Sequence, residues 1–213
     1  MDVVERVKQV LAAEPNEAQL DKYLSDVRDS LATSNKLFIG YTFLIVTTLL
    51  TYHLVAYSGA TGFAFNSLQL ADSSLFKRVF LVVPAGLLVA KASVGYLRRC
   101  QREVYDYLTL SRYKVLGQSG LHELRLPADY ILGLFFLKNE GGKLGNVLSS
   151  IIAFLSVCAS VLAPAGYVVC AAYLNVKSFG VTDVLCLSAA AVASAMSICA
   201  LLIVWLAMRV KAQ

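Results

Sequence analysis

Four apolar stretches, each long enough to cross the roughly 30 Å hydrocarbon core of a bilayer, constrain this chain more than any other feature. A water-soluble protein spreads its apolar residues at helix or strand period. This chain gathers them into blocks, and its 58% apolar and 15% charged content, with a mean hydropathy of +0.65, follows from that. The first block, Leu37 to Tyr57, contains no Asp, Glu, Lys or Arg. The second begins near Leu75 and ends at Leu97, ahead of Arg98 and Arg99, and carries Lys77, Arg78 and Lys91. The third, Asn146 to Asn175, and the fourth, Thr182 to Met208, exceed a minimal span and must tilt, kink or protrude. The expected fold is an all-α integral membrane protein with four transmembrane helices, about 37–57, 75–97, 146–175 and 182–208.

Orientation follows from Lys and Arg, which concentrate in cytoplasmic loops. Residues 1–36 hold five, residues 98–145 eight and the tail two, so fifteen of nineteen fall on one side. Both termini are therefore expected in the cytoplasm. The organisation that results is N-terminal cytoplasmic helices (1–36), a transmembrane hairpin (37–97), a cytoplasmic helical loop (98–145), a second hairpin (146–208) and a short tail (209–213). The first 30 residues have seven acidic and four basic side chains and no apolar core, so no cleavable signal peptide is expected. The outer loops lack cysteine and Asn-x-Ser/Thr acceptors. A bacterial cytoplasmic (inner) membrane is the expected location. The net charge of +5 reflects topology, with attraction to anionic headgroups, and there is no nucleic-acid footprint.

In the N-terminal part, Asp2 with Glu5 and Asn16 with Gln19 have capping-box spacing, and Pro15 separates two short helices. Leu20, Tyr23, Leu24, Val27 and Leu31 share one face of the second. That face needs a cover, expected to come from within the protein; a second copy or a cytoplasmic partner is the alternative. Beyond Leu97 the second helix is expected to continue, because Arg98 to Leu116 lacks Gly and Pro and has Arg99–Glu103 and Arg102–Asp106 at i,i+4. Gly117 and Gly120 end it. Tyr130 to Leu137 is an apolar run too short to span, either interfacial or re-entrant, or else buried in the cytoplasmic layer. Gly141, Gly142 and Gly145 predict a flexible joint before the third span.

No motif announces a reaction. His53 and His122 lie far apart, and His122–Glu123 is not followed by the second His of HExxH. GxSxG, a Walker A loop and paired intramembrane acids are all missing, as is any CxxC pair among Cys100, Cys158, Cys170, Cys186 and Cys199. No catalytic residue, metal or cofactor is expected, and Asp72 and Asp183 are read as caps at outer helix starts. Lys91 is the one charge deep in a span. It lies six residues before Leu97, roughly 9 Å along the axis, so snorkelling to the headgroups is expected and a pore-lining role is the alternative. On that reading Lys91 is dispensable.

Intramembrane hydroxyls occur at Thr42, Thr47, Thr48 and Thr51 and at Ser149, Ser150, Ser156 and Ser160. They are expected to bond back to the preceding turn, or else to face a wet path between helices. Pro84 and Pro164 should kink their helices, and the Pro-Ala-Gly shared by 84–86 and 164–166 is a weak sign of paired hairpins. Ala189, Ala193 and Ser197 form a narrow ridge of small side chains where a neighbouring helix can approach closely. With few helix contacts available to four spans, a homo-oligomer or a larger membrane complex is expected. The leading function class is a non-enzymatic oligomeric channel or membrane-permeabilising effector controlled through its cytoplasmic face. Next come an accessory or anchoring subunit of a larger complex, and an uncharged-solute transporter or membrane-embedded enzyme.

Overall fold

A computed structural model describes residues 5, 7–9, 17–57, 63–65, 68–70, 73–112 and 142–209. These residues are overwhelmingly helical, and four helical stretches are long and apolar enough to cross a membrane: Leu20–Tyr57, Ser73–Ser111, Gly142–Phe179 and Val184–Arg209. Helix α1 (Glu17–Tyr57) is followed by a two-stranded antiparallel ribbon, β1 (Phe63–Phe65) and β2 (Leu68–Leu70), with Ala64 opposite Gln69. The ribbon is a departure from the all-α expectation; at three residues per strand it falls below what alternation in the sequence reveals. Then come α2 (Ser73–Val79), α3 (Val82–Arg112), α4 (Gly142–Val157), a π-helical turn (Cys158–Leu162), α5 (Ala163–Phe179) and α6 (Val184–Arg209). The capping pairs near the N-terminus, Asp72, His122, the segment with Pro127 and Tyr130 to Leu137, and the glycines at 117, 120 and 141 lie outside the described residues.

Two expected boundaries move. The second N-terminal helix and the first span are one helix of 41 residues, because nothing between Ala32 and Lys36 breaks it: that stretch has no Gly and no Pro. The glycine joint is also shorter than expected. Gly142 does take a left-handed φ of +59°, but it opens α4, and Gly145 is buried inside that helix.

The chain divides into two units. The first comprises 1–38, 94–155 and 206–213. Within it α1 and α3 pair antiparallel: Val27 and Leu31 are buried against Val104, Tyr105 and Leu108, with Leu20, Leu24 and Val7 packed alongside. The apolar face of α1 is thus covered by the continuation of the second span, whereas Tyr23 stands exposed. Higher on the same pair, Ser34 Oγ donates to Gln101 Oε1 at 3.0 Å and Gln101 Nε2 to Ser30 Oγ at 2.7 Å. The Arg98 guanidinium lies 4.8 Å over the Phe38 ring, and a Cβ at Gly95 would meet that ring at 3.3 Å, so glycine permits the approach. Arg99 Nε sits 3.4 Å from Glu103 Oε1, the i,i+4 pair read from the sequence.

The second unit comprises 39–93 and 156–205. Its apolar core joins Ile45, Tyr52 and Val55 of α1, Phe76 of α2, Leu88 and Ala92 of α3, Ala165 and Val168 of α5, and Ala193 and Ala200 of α6. Ala189, Ala193 and Ser197 are buried, the last two completely, so the small ridge of α6 is covered within the chain.

Candidate functional site

Both prolines sit beside an interruption of a span, for the same reason. Proline has no amide hydrogen, so the carbonyl four residues before it loses its helical donor, and in hydrocarbon no water replaces it. Ahead of Pro84 the span breaks at Phe80 and Leu81, and α3 restarts with Val83 N–H donating to the Phe80 carbonyl at 3.0 Å. Ahead of Pro164 the helix widens instead into the π turn, where Ala163 N–H reaches back five residues to the Cys158 carbonyl.

Each interruption also receives a polar side chain from the other broken span. Lys91 of α3 is buried, 1% exposed, and its Nζ donates to the Ser160 carbonyl at 2.9 Å, the very group that Pro164 deprives of a donor. Asn175 of α5 donates through Nδ2 to the Lys77 carbonyl at 2.5 Å, in the last turn of α2 where a helix end leaves carbonyls unpaired. Tyr52 of α1 completes the arrangement: its hydroxyl donates to Asn175 Oδ1 at 2.8 Å, and its side chain is 2% exposed. Counted from each proline, the same positions are buried: Leu81, Ala85, Leu88, Lys91 and Ala92 around Pro84, and Val161, Ala165, Val168, Ala171 and Ala172 around Pro164. Lys91 therefore stands where the other helix has Ala171.

A second group of polar residues is joined to this one through Tyr52. The His53 ring Nδ1 lies 2.9 Å from the Tyr167 hydroxyl, and the Tyr52 and Tyr167 rings meet edge to face at 6.4 Å. Arg78 Nε sits 3.0 Å from Asp183 Oδ2 and its guanidinium lies over Phe179 at 4.8 Å. Asp183 caps α6 as expected, its Oδ1 accepting from Cys186 N–H at 2.9 Å. Gly180, with φ of +88°, ends α5 and allows the short turn into α6.

The expectation that Lys91 snorkels is overturned: its ammonium points across the core to a carbonyl. The roughly 9 Å of axial distance would have allowed snorkelling, but a freed carbonyl nearby is a nearer partner than the headgroups. Thr48 donates to the Leu44 and Ile45 carbonyls and Thr51 to the Thr47 carbonyl, while Ser149 and Ser150 both donate to Asn146. These hydroxyls satisfy themselves on their own helices. Thr47 is exposed, and Ser156 and Ser160 are half-buried, with Ser160 engaged through its carbonyl. Tyr52, His53, Asn175 and Arg78 were missed by the sequence reading. Asn175 carries a signal, a carboxamide in an apolar helix four residues before Phe179, although the sequence places it at the end of the expected span.

Among the described residues no three His, Cys, Asp or Glu side chains come together as metal ligands would. The chain matches no family model, no curated protein and no solved structure.

Proposed function

We propose that this chain is a non-enzymatic multi-pass membrane protein that acts as an oligomeric channel or membrane-permeabilising effector controlled through its cytoplasmic face. The observation that carries the reading is Lys91, a basic side chain buried among apolar spans at the point where two of them are interrupted. Ionisable groups are costly in hydrocarbon and mark paths or moving parts when they are kept there. A second feature supports assembly: at most 33% of the residues in any of the four apolar windows are buried inside the chain, which leaves apolar surface for lipid and for further copies. The basic residues support both termini and residues 98–145 lying in the cytoplasm, and a bacterial inner membrane is the proposed location.

Native mass measurement in mild detergent is expected to give a closed homo-oligomer, and liposomes containing it are expected to lose trapped K⁺ faster than protein-free liposomes. A stoichiometric foreign partner without leakage would identify an accessory or anchoring subunit instead, and a monomer would also overturn the reading. For orientation, a cysteine replacing Ser119 should resist a membrane-impermeant thiol reagent applied to intact cells, and one replacing Ser67 should react. The reverse pattern would invert the topology.

A further inference from the structure

We infer that the β1–β2 ribbon is an interfacial anchor, seated with one face against the lipid of the leaflet at the end where the first two spans are joined. The register places Phe63 opposite Leu70 and Phe65 opposite Leu68, with Ala64 opposite Gln69. Residues alternate between faces along a strand, and directly paired residues share a face. Phe63, Phe65, Leu68 and Leu70 therefore occupy one face of the ribbon, and Ala64 and Gln69 the other. A ribbon only two strands wide has no second layer of its own to cover an apolar face.

The apolar medium within reach is lipid, because the chain is too short to carry the ribbon away from it. Leu70 is three residues from Ser73, where the second apolar span begins, a distance of about 10 Å at full extension. Phe63 is six residues from Tyr57, the end of the first span, about 20 Å at most. Tyr57 is exposed there, and tyrosine is a residue that settles at the headgroup level. The ribbon is thus tethered at two span ends, beside a headgroup layer about 5–8 Å thick on each side of the bilayer. Composition agrees: residues 58–71 contain no Asp, Glu, Lys or Arg, so no charge has to enter that layer. Depth is limited from the other direction. The outer edges of a two-stranded ribbon carry backbone groups that headgroups and water can satisfy and hydrocarbon cannot. A ribbon lying flat, with the face of Phe63, Phe65, Leu68 and Leu70 towards the acyl chains and that of Ala64 and Gln69 towards water, meets both demands. Seated in this way it ties the joined ends of α1 and α2 to one depth in the bilayer. The inference rests on the spans crossing a membrane and not on the channel reading, and its test measures depth and not flux.

The test places one tryptophan at a time in the ribbon of the full chain carrying Trp205→Phe, since Trp205 is the one tryptophan in the sequence. In liposomes, Phe65→Trp and Leu68→Trp are expected to lose about half of their emission to lipids brominated near the headgroup end of the acyl chains, from a depth of about 5–10 Å, and to resist iodide. Ala64→Trp and Gln69→Trp are expected to show the reverse, with iodide present on both sides of the membrane. Any other pattern overturns the inference. Equal quenching at the four positions would leave no anchored face, and Phe65→Trp and Leu68→Trp reached by neither quencher would show that face covered by this chain or by a second copy. Where a tryptophan variant fails to fold, the same position is replaced by cysteine in a chain whose five native cysteines are changed to alanine, and a small thiol-linked fluorophore is read with the same quenchers and the same criteria.

Discussion

Ala193→Leu should lower the stability of the folded chain itself, and not merely its assembly. Ala193 is fully buried in the core of the second unit, with Ser197 one turn on, also fully buried and donating to the Ala193 carbonyl at 2.9 Å. Lipid supplies no hydrophobic drive for helix association, so spans hold together where small residues let them approach. A leucine at the closest point forces the helices apart, and overpacking of this kind costs about 1–3 kcal/mol, sometimes more. In a chain of this length that corresponds to a Tm loss of roughly 2–12 °C, with less monodisperse protein recovered from detergent. Ile198→Leu, at an exposed position of the same helix, is the control and should change little. If Ala193→Leu melts at the parent temperature, the ridge does not hold the second unit together.

The second large effect is expected at Asn175. Its carboxamide accepts from Tyr52 and donates to the Lys77 carbonyl, so Asn175→Leu strands two buried groups at once. An unsatisfied buried polar group costs about 1–3 kcal/mol, so stranding two should cost more than losing either bond alone. Tyr52→Phe removes one of the stranded groups. Combined with Asn175→Leu it should restore part of the lost stability, because the two side chains share one hydrogen bond and their effects are not independent. Thermal melts of the two single variants and the double variant measure this directly. Additive losses would show that the Tyr52 to Asn175 bond contributes nothing of its own.

Neither effect depends on the orientation of the chain in the membrane or on its function. Both depend on packing that lies far apart in sequence: the bonds from Lys91, from Asn175 and from Tyr52 close separations of 69, 98 and 123 residues. That distance explains what a linear reading missed. Lys91 looked like a candidate for snorkelling because the sequence shows how far it is from Arg98, and does not show the carbonyl that Pro164 releases on another helix. Asn175 looked like a terminus because a polar residue near the end of an apolar run is ordinarily one. Local features fared differently. The helical extension beyond Leu97, expected as far as Leu116 and described as far as Arg112, the Arg99–Glu103 pair and the Asp183 cap depend only on neighbours within a turn, and each is present among the described residues.

What the sequence determined by itself was the number of apolar helices and their approximate extent, because the length and composition of an uncharged run decide whether a helix can reside in hydrocarbon before any contact forms. Proline positions likewise announced where hydrogen bonding would fail. Only the tertiary structure decided how each failure was met. One span broke and restarted with Val83 N–H on the Phe80 carbonyl, the other widened into a π turn whose Ser160 carbonyl took Lys91 as its donor, and Asn175 took up the Lys77 carbonyl beside the first break. A released carbonyl in a membrane must be satisfied by whatever group is near in space, and nearness in space is not written in any one stretch of the chain.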